Sequence, residues 1–244
     1  MENRLIPLDP SAPFRFSCSP EAVCFNECCR DLSQALTPYD VLRLKHKLGI
    51  SSQHFLQQYT QRHAGPGSGL PVVTLIPGDP DRLTCPFVAP EGCRVYPDRP
   101  SSCRMYPVVR LLRRSRDNAE ILEEYRLLRE PHCRGFDAAR RQTVLEWMFN
   151  QGLREYNAEN DRLLEVIRLK AHFSSKSLPP SLFEHVYTAL YDLDRFRQRL
   201  CDESLAHISE LDPDGREAAL KDDSALLRLG LEWVKQLLKK TFAC

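Results

Sequence analysis

The chain has 244 residues, of which 42% are hydrophobic and 27% charged, with a formal net charge of +1. That composition excludes disorder as the whole-chain state, and the near-neutral balance excludes a broad cationic field for nucleic acid or an anionic membrane. No apolar run approaches the roughly 20 residues that span a bilayer, and the opening residues, from Met1 to Pro10, carry no apolar signal stretch.

Fourteen of the 18 prolines lie at or before Pro107. The first half therefore reads as punctuated and loop-rich, and the second as long helices. The first helix is expected to start at Thr37-Pro38-Tyr39-Asp40: Thr37 is a good N-cap, Pro38 suits the first helical position, and Asp40 favours the positive helix end. Val41, Leu44, Lys45 and Leu48 form its stripe, and Gly49 ends it. A second helix is expected from Ser52 to about Arg62. Gly65 to Gly69 reads as a flexible linker, and residues 71–76 as a short β-branched strand. Val108 to Arg113 and Ile121 to Leu128 fit either a hairpin turning at 115–118 or a helix. The hairpin is preferred because it returns Cys133 towards Cys103. From about Phe136 the pattern is helical, with apolar stripes Val144/Leu145/Met148/Phe149 and Leu163/Leu164/Ile167/Ala171. Pro179-Pro180 breaks the chain. A stripe from Leu182 to Leu200 follows, then a turn at Asp212 to Gly215. The last helix carries Leu227, Leu231, Val234 and Leu238 on one face.

Ten cysteines are the compositional anomaly. Eight of them, Cys18, Cys24, Cys28, Cys29, Cys85, Cys93, Cys103 and Cys133, fall in the first 133 residues. With no export signal read, a cytoplasmic location is expected, and there thiols stay reduced. Clustered thiols in such a place point to a metal site rather than to disulfides. Soft cations take thiolates: Zn²⁺ binds four tetrahedrally, and iron–sulfur clusters are also held by cysteine. The eight suffice for two four-thiolate sites. On a helical turn Cys24 and Cys28 share a face. The vicinal Cys28 and Cys29 seldom serve one small ion together, so they serve either two metals or one metal and a reserve thiol. Gly92 suits a positive-φ turn beside Cys93. Arg30, Arg94, Arg99, Arg104 and Arg134, each near a cysteine, are expected to offer N–H···S bonds and charge balance. His132 reads as solvated or as support to the site. Cys201 reads as a packed thiol, and Cys244 as mobile.

These residues resemble the YkgJ family of cysteine-cluster proteins, described as zinc- or iron-chelating. The resemblance rests on Phe16-Ser-Cys18, Cys24-Phe-Asn-Glu-Cys28-Cys29-Arg30, Leu36-Thr-Pro-Tyr-Asp40, Cys85-Pro-Phe87, Gly92-Cys93-Arg-Val-Tyr96, Arg99-Pro-Ser-Ser-Cys103-Arg-Met-Tyr-Pro107 and His132-Cys133-Arg-Gly135. It spans roughly residues 14–157. Many members carry C-x2-C-x2-C-C where this chain has C-x5-C-x3-C-C. The resemblance implies metal binding. One branch is similar to flagellin lysine N-methylases, which implies an alternative: an iron–sulfur or iron-dependent enzyme modifying a protein side chain.

The expected architecture is mostly α with a small irregular β portion, in which a short strand and the hairpin are the only sheet. A metal-stapled cysteine-cluster domain at 14–157 precedes a helical region at 158–244. The expected function is a cytoplasmic metal-binding protein that holds zinc or iron, an iron–sulfur cluster among the options, on the eight named thiolates in one or two sites. A protein substrate or partner is compatible with this, while nucleic acid and membrane are not.

Overall fold

The computed structural model describes residues 3–30, 33–114, 121–173, 177–207 and 210–242. The expected turn at 115–118 and the terminal Cys244 lie outside the described residues. The chain divides into two compact units, Met1–Asp31 with Gly78–Glu155, and Leu32–Pro77 with Tyr156–Cys244. Helices dominate, and four small sheets accompany them among the described residues.

In the first unit the expected hairpin is present: Val108–Arg114 pairs antiparallel with Ile121–Arg129. A third strand, Arg4–Leu8, completes this sheet on the other edge of Ile121–Arg129. That strand, and short pairs such as Phe14–Arg15 with Arg141–Gln142, enlarge the sheet content beyond the single strand and hairpin read from sequence. Alternation along the strands turns Val108, Tyr125 and Leu127 to one side, where they bury against Phe14, Phe16, Val144 and Trp147. Phe16 is the hub of this core. Its ring meets Tyr106, Phe136 and Trp147 edge-on at 5.7, 5.2 and 5.5 Å between centroids, the arrangement that aromatic quadrupoles favour. Gln142 Nε2 donates to the Phe16 carbonyl at 2.7 Å and fixes the backbone at the hub.

The helix Val144–Asn150 starts at a reciprocal cap. Glu146 N–H donates to Thr143 Oγ1 at 3.3 Å, and Thr143 N–H donates to Glu146 Oε2 at 2.7 Å. Its buried face differs from the expected stripe. Val144 and Trp147 are buried, while Leu145 and Phe149 are 67% and 87% exposed. The indole decides the rotation: Trp147 fills the core and its Nε1 donates to the Met105 carbonyl at 3.0 Å.

In the second unit the helix Pro38–Leu48 forms as expected. Thr37 Oγ1 accepts from Asp40 N–H, Asp40 returns the bond, and Gly49 ends the helix at φ 65°. The next helix, Ser52–Tyr59, stops short of Arg62. Residues Thr60–Ala64 instead pair antiparallel with Pro71–Leu75. Gly65 to Gly69 is therefore a hairpin loop rather than a linker, closed by Gly65 N–H to the Leu70 carbonyl at 2.8 Å. Ala35–Leu36 adds a third strand.

The long helix Leu153–Phe173 buries Val166 and Lys170 rather than the expected Leu163/Leu164/Ile167/Ala171 stripe. The aliphatic stem of Lys170 is itself buried surface, and its Nζ lies 5.5 Å from the centre of the Phe242 ring. Pro180–Leu190 and Leu193–Cys201 carry the expected apolar stripe across a break at Tyr191-Asp192. Cys201 is exposed, which corrects its reading as a packed thiol. Asp212 starts the helix Pro213–Lys221, its Oδ2 accepting from Gly215 N–H at 2.7 Å, where a turn was expected. Asp223–Phe242 buries Leu227, Leu231, Val234 and Leu238 as read. It passes close to the preceding helices at Gly230, where an added Cβ would lie 2.5 Å from the Ala189 carbonyl oxygen.

A buried polar centre ties this unit together. Lys45 Nζ lies 2.9 Å from Asp194 Oδ1 and 2.7 Å from Asp223 Oδ2. Asp223 also receives Arg197 and His46. Ser52 Oγ donates to Asp192 at 2.7 Å and accepts from Asp194 N–H at 3.0 Å. No helix among the described residues is long and apolar enough to cross a membrane.

Candidate metal centre

All eight cysteines singled out from sequence lie in the first unit. Each is placed by backbone contacts that owe little to its immediate neighbours. Ser17 N–H donates to the Gly135 carbonyl at 3.0 Å, laying the segment of Cys18 beside the Cys133 turn. Gly135 must be glycine there, since a Cβ would lie 2.5 Å from Phe16 Cε2. Arg134 N–H donates to Cys24 Sγ at 3.1 Å, so the same turn reaches the first cysteine group. Cys28 and Cys29 sit on a single turn of 3₁₀ helix, Glu27–Cys29, entered through Asn26 at φ 68°. Cys24 lies outside that turn, so it shares no helical face with Cys28. Asn26 Nδ2 donates to the Ala89 carbonyl at 2.9 Å and docks this turn on the hairpin that carries Cys93.

Cys85 N–H donates to the Cys29 carbonyl at 2.8 Å. Val88–Ala89 pairs with Gly92–Cys93, and Gly92 makes the turn at φ 122°, as expected for a glycine beside a ligand candidate. Cys103 lies on the short helix Ser101–Met105 and is exposed. All nine cysteines among the described residues are free thiols.

The nearby arginines do not act as expected. The guanidinium groups of Arg94, Arg99 and Arg104 hold carbonyls, strong acceptors for a planar fork of donors. Arg104 Nε donates to the Arg99 carbonyl at 3.1 Å and its Nη1 to that of Gln151 at 2.7 Å. Arg94 donates to the Pro86 carbonyl at 2.6 Å. Arg99 donates to the Tyr96 carbonyl at 2.7 Å and stacks on the Tyr96 ring. Arg30 pairs with Glu27. Arg134 does reach a sulfur, Cys24 Sγ, but through its backbone N–H, as the backbone groups of Phe87 and Val88 serve Cys85, that of Val95 serves Cys93 and that of Gly135 serves Cys133. Charge balance does hold for two of them: Arg99 opposes the rise at Cys18 and Cys93, and Arg94 opposes it at Cys93.

Burial and neighbouring charge act on these thiols. Burial raises Cys18 to about 11, helped by the charges of Cys28, Cys24 and Cys133. Burial likewise raises Cys85, Cys93 and Cys133, each of which also feels Cys28. The Cys29 S–H donates a hydrogen bond to the Cys28 sulfur, which brings Cys28 down to about 7 and drives Cys29 up. Burial and mutual repulsion therefore oppose ionising these thiols together, and a soft cation would offset that cost by binding the thiolate form. The donor chemistry thus suits zinc or iron: thiols without a disulfide, gathered in one unit. Among the described residues no group of three or more His, Cys, Asp or Glu side chains is placed to hold a metal ion, so the expected stapling of this unit by metal is not seen in the structure.

Two residues of this neighbourhood were not given a role from sequence. Tyr106 Oη is buried without a well-formed hydrogen bond; burial raises its pKa, and Cys133 and Glu130 beside it raise it further. Glu130 also opposes ionisation of Cys28. Tyr106 lay in the quoted Arg-x-Tyr-Pro element, but only its packing on Phe16 shows where its hydroxyl goes. His132 faces Glu130 at 3.8 Å and is partly exposed.

Residues 17–134 match the family described as CxxCxxCC: Putative zinc- or iron-chelating domain. No curated protein and no solved structure matches the chain.

Proposed function

Residues 17–134 belong to this zinc- or iron-chelating, YkgJ-type cysteine-cluster family, and from that premise we propose that the protein is a cytoplasmic metal carrier or metal-stabilised module. Its ion, zinc or iron, is held by thiolates of Cys18, Cys24, Cys28, Cys29, Cys85, Cys93, Cys103 and Cys133. The observation that carries this reading is the match of residues 17–134 to a zinc- or iron-chelating family, with all eight thiols inside the matched segment and none of them in a disulfide. When bound, zinc supplies a closed cross-link and iron adds redox chemistry. The chain's own part is to deliver soft anionic donors and to moderate their charge through Arg99 and the Arg134 amide.

Oxygen-free purification followed by elemental analysis tests the proposal. Zinc or iron is expected at one or more equivalents per chain. Cys103→Ser, at an exposed position that leaves the core intact, is expected to reduce both metal content and thermal midpoint. Full metal occupancy with an unchanged midpoint in that variant removes Cys103 from the ligand set. A wild-type chain without either metal removes the proposal. A brown, visibly absorbing preparation identifies iron–sulfur ligation, and a colourless zinc-containing one identifies zinc.

A further inference from the structure

The helix Val144–Asn150 leaves Leu145 and Phe149 in solvent, 67% and 87% exposed. They lie one turn apart, so they stand on the same flank of the helix. The core offers them no place, because Val144 and Trp147 already fill it from the other side. Just before this helix, the ribbon of Phe14–Arg15 with Arg141–Gln142 sets Arg15 directly across from Arg141. Phe14 and Gln142 are buried, so the alternation of the strands turns Arg15 and Arg141 outward, and both are exposed. Like charges facing each other across two strands oppose the pairing. Among the described residues no carboxylate forms an ion pair with either arginine. Glu146, on the helix itself, is taken by the amide and hydroxyl of Thr143.

Ribbon and helix form one block. Val144 N–H donates to the Pro10 carbonyl at 3.3 Å, and the Phe14 and Trp147 rings meet edge-on at 6.4 Å between centroids. Four residues carry the chain from Arg141 to Leu145, at most about 14 Å even when fully extended. Two unpaired cations therefore border an unpartnered apolar flank within the span of one short peptide.

We propose that this surface docks a segment of a partner protein that presents two carboxylates beside a bulky apolar residue. The carboxylates pair with Arg15 and Arg141, since a guanidinium fork offers each of them two parallel N–H donors. The apolar residue closes over Leu145 and Phe149 and removes them from water. Charge selects this occupant. A second copy seated here about a two-fold axis presents the same surface, arginines included. An anionic bilayer holds proteins through clusters of several cations or a broad positive field, and the chain's net charge is only +1.

A library of random peptides displayed on phage, selected on the whole reduced chain, tests the proposal. Enriched peptides are expected to combine Asp or Glu with Leu, Ile or Phe. As synthetic peptides they are expected to bind the chain in fluorescence anisotropy, and more weakly as salt rises. Leu145→Ser with Phe149→Ser, and separately Arg15→Gln with Arg141→Gln, are each expected to weaken that binding by about tenfold or more, the effect that central residues of an interface carry. Far-UV circular dichroism confirms that each double variant is folded, and the arginine pair stands as the test if the serine pair is not. No enriched peptide, enriched peptides without carboxylates, or peptides that bind a folded double variant as tightly as the wild type overturn the proposal. Two further results also overturn it. Sedimentation with vesicles of phosphatidylserine and phosphatidylcholine in equal parts, lost in the same variants, assigns the surface to a membrane. A concentration-dependent dimer in light scattering, lost in the same variants, assigns it to a second copy.

Discussion

Stripping the metal from the protein under reducing conditions is expected to lower the stability of the first unit by about 4 kcal/mol or more, the linkage value when free metal exceeds its Kd about a thousandfold. Structural zinc sites in small peptides contribute on the order of 10 kcal/mol of binding free energy, so the margin is wide. The effect reaches the core because Cys133 and Tyr106 pack directly against it, alongside Phe16 and Trp147. Trp147 serves as the reporter. The chain has two tryptophans, and Trp233→Phe leaves Trp147 as the sole indole of the chain. Its emission is expected to shift and its urea midpoint to fall on chelation, with recovery on adding back the metal. An unchanged midpoint would mean that the apolar core alone holds the unit and that the thiols carry no structural load.

Lys45→Ala is expected to cost about 3–5 kcal/mol, the usual loss when one partner of a buried ionic group is removed. Lys45 is 4% exposed and bridges Asp194 and Asp223. Without it, two carboxylates share a partly dry site, opposed by Arg197 and the more exposed His46. Burial acts to raise Asp223, but the bonds from Lys45, Arg197 and His46 outweigh it and bring its pKa down to about 2 from an ordinary 3.8. A depressed folded-state pKa stabilises fully above the ordinary carboxylate value and is lost as pH falls through the folded value. The wild-type contribution therefore disappears between about pH 4 and pH 2. In Lys45→Ala the carboxylates gain by protonation, so the gap between variant and wild type is expected to narrow as pH falls from 5 to 3. Urea unfolding across that range measures it, and a gap that widens in acid refutes the assignment.

What the sequence disclosed follows from the range of the forces involved. The start of Pro38–Leu48 was legible because a cap is a contact over three residues: Thr37, Pro38 and Asp40 carry it without help from the rest of the chain. The hairpin Val108–Arg114 with Ile121–Arg129 was legible because a local return of the chain was needed between Cys103 and Cys133. The strand Arg4–Leu8 was not, since its partner Tyr125–Arg129 is remote in sequence and Pro7 argues against a strand. Periodicity also misplaced two faces. At 144–149 several apolar residues competed, and the largest, Trp147, took the core while Phe149 was left outside. At 163–171 a lysine stem took a buried place that hydropathy assigns to an alanine.

The eight sulfurs were nameable because cysteine is scarce and its chemistry narrow. Which of their segments lie side by side was not, because that depends on single bonds such as Cys85 N–H to Cys29 O and Arg134 N–H to Cys24 Sγ. The arginines were misread for a related reason. Proximity in sequence suggested sulfur as their partner, but the loops expose carbonyls that bind a guanidinium better.

X-ray absorption at the metal edge of protein purified without oxygen tests the central claim most directly. A first shell made wholly of sulfur, at about 2.3 Å for zinc, is the predicted result. A shell of nitrogen and oxygen alone would contradict it, because the thiols would then have gathered without gripping the ion.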